Sequence, residues 1–129
     1  MAKTSDIKPV TRFDADDEEV EVISLKHGDL VCFSDRSPTK DTPNEDALAI
    51  IPVDDETTVL VVADGMGGMP AGEQASMIVI ESLINALSTA TDEQQTRIAI
   101  LNGIDEANKK ILELKKLSTF YLPFIGFLV

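Results

Sequence analysis

The 129-residue sequence holds a single cysteine, Cys32, and a single histidine, His27. One thiol excludes an intramolecular disulfide and any zinc site built on several cysteines. No apolar run approaches the ~20 residues that span a bilayer. The N-terminus also lacks the apolar core of a secretory signal. Basic residues are scarce, with eleven Lys and Arg against twenty-three Asp and Glu, a net charge of −12. So acidic a chain has no general basic face for the phosphates of nucleic acid, and anionic lipid repels it. These absences point to an intracellular, cytoplasmic protein that binds neither nucleic acid nor membrane. What is present fits one globular domain: 43% hydrophobic and 26% charged residues are ordinary for a chain that buries a core.

Residues 1–19 are polar and end in the acidic run Asp14-Ala15-Asp16-Asp17-Glu18-Glu19. Like charges repel and bury nothing, so this segment is expected to be a flexible tail. Strand signals follow at Glu19 to Leu25 and Leu30 to Phe33, joined by a turn at His27-Gly28-Asp29. The polar stretch Ser34 to Glu45 contains Pro38 and Pro43 and is irregular. Asp46 to Ile51 is a third strand. Thr57 to Ala63 is β-branched and almost wholly apolar, as expected of a central strand covered on both faces.

The period then changes. Met77, Ile80, Leu83, Ile84 and Leu87 fall at helical spacing, which predicts a helix over Pro70–Leu87. Thr91 and Gln94 have the spacing of a capping box for a second helix. Along it Ile100, Ile104, Ala107, Ile111 and Leu114 form one apolar stripe. Lys109, Lys110, Lys115 and Lys116 lie towards its C-terminal end, where the macrodipole favours cations. Residues 118–129 carry no charge and four of the six aromatics. That composition makes either a core-filling segment or a sticky surface that drives self-association.

The strongest local feature is Val62-Ala63-Asp64-Gly65-Met66-Gly67-Gly68. A carboxylate at the end of a buried strand is held rigidly, and the glycines that follow let backbone approach a ligand. A metal or phosphate site is often built this way, although a tight strand-to-helix turn without function gives the same pattern. Asn44-Glu45-Asp46 stands at the entry to the third strand, where adjacent acids point to opposite sides of an extended chain. Alone, such a pair is ordinary surface. Between Asp41 and Thr96, however, there are eleven acids and no Lys or Arg. Acids gathered at strand ends without local cations suit an external one, and all-oxygen donors favour hard ions such as Mg²⁺ or Mn²⁺. Arg36 and Lys40 lie just ahead of the acids, where a cation can grip a phosphate dianion. His27 is expected at the surface, and Cys32 in the core.

Taken in order, Ser34-Asp35-Arg36, Asn44-Glu45-Asp46, Val62-Ala63-Asp64-Gly65-Met66-Gly67-Gly68 and Ala71-Gly72-Glu73-Gln74-Ala75-Ser76 resemble the N-terminal part of the metal-dependent PPM-type phosphatases. This is the protein phosphatase 2C family, here in its bacterial form. The resemblance covers roughly residues 20–117. It implies an α/β (α+β) fold: an antiparallel β-sheet packed on two antiparallel helices, part of the family's αββα sandwich. It also implies a signalling hydrolase that dephosphorylates phosphoserine or phosphothreonine proteins with two Mn²⁺ or Mg²⁺ ions and an activated water. In that scheme Asp64 bridges the ions, the Gly65 carbonyl and Glu45 contact one of them, and Asp46 supports the cluster. The family's phosphate-binding arginine stands four residues before the glutamate. Here Asp41 occupies that position, which leaves Lys40 or Arg36 for the role. The family's domain is about twice this length, and its later carboxylates have no counterpart here. Residues 118–129 would then replace the rest of the domain. The alternative to an enzyme is a non-catalytic pseudophosphatase or phosphoprotein-binding fragment.

Overall fold

The computed structural model describes residues 8–39, 41–65 and 71–117. Five strands precede two helices: β1 (Val10–Phe13), β2 (Glu21–Leu25), β3 (Gly28–Cys32), β4 (Ala47–Pro52), β5 (Thr58–Ala63), α1 (Ala71–Leu87) and α2 (Glu93–Leu117). They form an antiparallel three-stranded sheet in the order β1-β4-β5, a β2–β3 hairpin, and a helical layer. This is the α+β class that the sequence predicts.

Alternation along the strands decides which face meets the helices. Ala47, Ala49 and Ile51 of β4 lie opposite Ala63, Val61 and Val59 of β5. All six join a buried cluster with Val79, Ile80, Leu83 and Leu87 of α1 and Ala107 and Ile111 of α2. Ile100 and Ile104 pack at its margin, so the predicted apolar stripe of α2 faces the core. Small residues at 47, 49 and 63 let α1 approach the sheet closely. Gly103 does the same between the helices: a Cβ there would lie 2.9 Å from Leu83 Cδ2 and 3.3 Å from the Cβ of Ala86.

The start of α2 is capped one residue later than the Thr91/Gln94 spacing suggests. Asp92 Oδ1 accepts the Gln95 N–H at 2.8 Å, and Gln95 Oε1 accepts the Thr91 N–H at 3.0 Å. An aspartate is a strong N-cap and takes the role from the neighbouring threonine. Lys109 and Lys110 pair one turn back with Asp105 and Glu106.

Two expectations are corrected. Part of the acidic tail expected over residues 1–19 is a strand: β1 pairs with β4 in the register Val10↔Ile50 to Phe13↔Ala47. Phe13 packs against the core, which offsets the cost of ordering the segment. The acids that follow are also engaged. Asp17 Oδ2 accepts the Ser34 N–H at 2.8 Å, and the Asp17 N–H donates to the Ser34 carbonyl at 2.9 Å. The second correction concerns β5, which among the described residues is an edge strand rather than a central one. Its helix-side residues are buried, but Leu60 and Val62 on the other face are 42% and 48% exposed. A continuous apolar run has the same sequence signature whether both faces or one face is covered.

The β2–β3 hairpin stands over that other face. Its turn is Lys26–His27, with Leu25 opposite Gly28. Arg12 of β1 forms an ion pair with Glu21 of β2. At the far end His27 Nε2 donates to the Asp55 carbonyl at 2.6 Å, and Lys26 Nζ lies 3.8 Å from Asp55 Oδ2. On this face Ile50 is 4% exposed, while the outward side of β5 stays open. His27 is at the surface and Cys32 is buried, as expected.

Candidate metal and phosphate site

The β4–β5 register brings two acids together. Ala47 lies opposite Ala63, so the residues just outside this pair, Asp46 and Asp64, leave the same end of the sheet side by side. Their carboxyl groups lie within reach of each other, and Asp46 also accepts the Gly65 N–H. The Asp46 carboxyl is pushed above the ordinary 3.8, first by partial loss of hydration and then by the charge of Asp64. The Gly65 N–H pulls the other way, and the Glu45 charge adds to the rise. Two neighbouring carboxylates repel when both are ionised, and a cation placed between them relieves that repulsion.

Gly65 is where strand, loop and helix meet. A Cβ on it would fall 2.4 Å from the Gly72 carbonyl oxygen and 2.5 Å from that of Glu45. Only glycine allows this approach. Gly72, in the first turn of α1, is matched to the Glu45 side chain: a Cβ there would lie 2.5 Å from Glu45 Oε2. Ser76, one turn further along, donates its hydroxyl to the Glu45 carbonyl at 2.6 Å and to the Glu73 carbonyl at 3.0 Å. Glu45 is thereby fixed through its backbone by Ser76, and its carboxylate lies over the start of α1, where the helix dipole favours negative charge.

Asn44 holds the approach to β4. It is 8% exposed. Its Nδ2 donates to the Ala15 carbonyl at 3.0 Å and to Ser34 Oγ at 2.9 Å. Its Oδ1 accepts the Asp46 N–H at 3.1 Å, and its own N–H donates to Asp14 Oδ1 at 3.0 Å. Asp14 has a positive φ of 46°, a turn conformation that aspartate tolerates better than most residues. The roles of Asn44, Gly72 and Ser76 do not follow from residue type and spacing alone. The Asn-x-Asp pattern of a side-chain turn is the one local signal for Asn44.

The candidate residues are thus arranged unequally. Asp46, Asp64 and Gly65 converge. Glu45 adjoins them through its backbone, while its carboxylate lies over Gly72. Among the described residues no three acidic, histidine or cysteine side chains form a metal cluster. Arg36 is turned to Asp16, with Nη2 at 3.5 Å from Oδ2. Beside it Asp35 is raised above its ordinary value, first by a hydrogen bond to Asp16. Lys40 and the Met66–Pro70 part of the glycine motif lie outside the described residues, as do residues 118–129. The donor set is all oxygen, so the pair suits one hard cation that keeps several waters.

Searches among curated proteins and solved structures give no match. A family model described as protein phosphatase 2C matches residues 36–120. That span runs from Arg36 through the paired aspartates and both helices, well over half of the chain, and the chain therefore belongs to the protein phosphatase 2C family.

Proposed function

We propose that the Asp46–Asp64 end of the sheet is a divalent-cation site of a phosphoprotein phosphatase, taking Mn²⁺ or Mg²⁺ and acting on phosphoserine or phosphothreonine. The observation that carries this is the aspartate pair that the Ala47↔Ala63 register sets side by side next to Gly65, in a chain whose family hydrolyses phosphoproteins. Asp64 and Asp46 would hold the ion, and the Gly65 carbonyl would complete that side. A bound ion would supply a water of lowered pKa as the nucleophile. The chain's own contribution is positional. Gly65 and Gly72 bring strand and helix into contact, Ser76 fixes the Glu45 backbone, and Asn44 fixes the entry to Asp46. Arg36 and Lys40 are the cations available for the phosphate.

A second reading has its own observation. Only two carboxylates converge among the described residues, fewer than two-ion catalysis uses. A chain that binds one ion or a phosphoprotein without turnover fits this equally well. Calorimetric titration with Mn²⁺, run beside phosphate release from a phosphothreonine peptide, separates the readings. Binding and turnover that are both lost in Asp64→Asn support the enzyme. Binding lost in Asp64→Asn without measurable turnover in the parent supports the second reading. Equal binding by parent and variant removes Asp64 from the site.

A further inference from the structure

The outward face of β5 is the part of the fold that its described neighbours leave unfinished. Leu60 and Val62 stand on it at 42% and 48% exposure, while Ile50, directly opposite Leu60 on β4, is 4% exposed. The β2–β3 hairpin stands beside this face of β5. Between them runs a groove of about 340 Å³ whose apolar walls are Leu25, Leu30, Pro52, Val53 and Leu60. Its rim carries Asp29, Asp54, Asp55 and Glu56 against Lys26 and His27, an excess of acid. An apolar floor with an acidic rim rejects an acidic occupant. A second copy of this chain carries a net charge of −12, so face-to-face pairing would set like charges together.

The chain supplies an occupant of the right chemistry. Residues 118–129 carry no charge and include Phe120, Tyr121, Leu122, Phe124, Ile125 and Phe127. The helices show where that segment starts. Gly103 of α2 sits against Leu83 of α1. From that crossing α2 runs fourteen residues on to Leu117 while α1 runs twelve back to Ala71, about 20 Å in each case. Leu117 therefore ends level with the start of α1, which Gly72 presses against Gly65 and Glu45. This is the end of the sheet at which β5 finishes. Twelve residues reach about 40 Å when extended, and β5 is about 20 Å long. The segment is long enough to round the open edge of β5 and run the length of its outward face.

We infer that residues 118–129 seat on the outward face of β5, over Val62 and Leu60, and place aromatic side chains in the groove beneath the β2–β3 hairpin. The seat does not rest on the metal-site reading, because it is argued from the exposure of Leu60 and Val62 and from the groove, neither of which uses a bound ion. It gives the C-terminal segment a defined place in the fold and closes the apolar face that the hairpin leaves open.

The sequence provides its own probe, since Tyr121 is the only tyrosine and there is no tryptophan. Intrinsic fluorescence therefore reports on the segment alone. Acrylamide quenching of the full chain should be several-fold weaker than that of N-acetyltyrosinamide. Leu60→Glu combined with Val62→Glu should raise it towards the free value, with helical circular dichroism unchanged. Leu101→Glu, on the far side of α2 and 68% exposed, should leave it unaltered. If the double variant does not fold, Leu60→Ser gives the same readout with a milder change. Quenching of the parent chain equal to that of the free amide overturns the inference. So does protection that persists in the folded variants. Protection that appears only on raising the protein concentration, with a dimer mass in light scattering, assigns the face to a second copy and overturns it as well.

Discussion

Replacing Gly65 with alanine tests how tightly the candidate site is built. The new Cβ would lie 2.4 Å from the Gly72 oxygen, 2.5 Å from the Glu45 oxygen and 2.8 Å from the Gly72 carbonyl carbon. All three are backbone atoms, so no side chain can turn aside. Relief requires the start of α1 to move away from the strand end, which also stretches the Ser76–Glu45 hydrogen bond. Overpacking typically costs about 1–3 kcal/mol, and a purely backbone clash belongs at the upper end. Alanine returns about 0.4–1 kcal/mol by restricting the unfolded chain. The net loss is roughly 2 kcal/mol, a fall in melting temperature on the order of 10 °C for a domain of this size. Gly72→Ala is the control. Its two nearest contacts are Glu45 Oε2 at 2.5 Å and Cδ at 3.0 Å, the free end of a flexible side chain. Alanine also favours the helix, so its net change should be within about 0.5 kcal/mol. Thermal melts of the metal-free proteins, followed at the helical band, decide the matter. A Gly65→Ala melt within about 2 °C of both the parent and Gly72→Ala, well under one kcal/mol on this scale, would refute the close approach.

Two further predictions concern the acids and their support. An aspartate whose folded-state pKa lies above its unfolded value costs stability while ionised. That cost is full at neutral pH and fades as the pH falls through the folded value towards the ordinary 3.8. Asp46→Asn should therefore raise the melting temperature of the metal-free protein at pH 7 and change it little near the ordinary carboxylate range, while weakening Mn²⁺ binding. A gain of the same size at both pH values would contradict the assigned cause. Asn44→Ala strands the buried Ala15 carbonyl, at about 1–3 kcal/mol for a buried group left unpaired, and removes the bonds to Ser34 Oγ and the Asp46 N–H, at about 1 kcal/mol each. A urea midpoint showing a total loss of about 3 kcal/mol is expected, and a loss below about 0.5 kcal/mol would show that water replaces the side chain.

Both helices and four of the five strands are legible because their patterns are local. Ile80, Leu83 and Leu87 repeat at 3.6 residues, and the Thr58–Ala63 run is too β-rich for a helix. The pairing of Asp46 with Asp64 is legible only at the level of motif order, since it depends on the Ala47↔Ala63 register between two strands. What escapes a sequence reading depends on distant partners. Val10–Phe13 has too short a pattern to stand out beside an acidic run, and its reason for being a strand is β4, nearly forty residues away. The exposure of Leu60 and Val62 depends on what packs on the far face of the sheet, which no window around β5 contains. The demand for glycine at 65 comes from the backbones of residues 45 and 72, which no local window contains.

The engagement of residues 10–17 bears on where this domain can be cut. Composition alone would place its boundary near residue 20, after the acidic run. A fragment starting there would lose β1 and leave the N–H and C=O groups along one side of β4 unpaired, an open template for strand exchange between molecules. It would also remove Asp14 and Ala15 from Asn44, loosening the turn that delivers Asp46. Aggregation and a loosened Asp46 would then arrive together from one deletion. The acidic stretch acts as a clasp on the sheet, and a working expression boundary lies ahead of Val10.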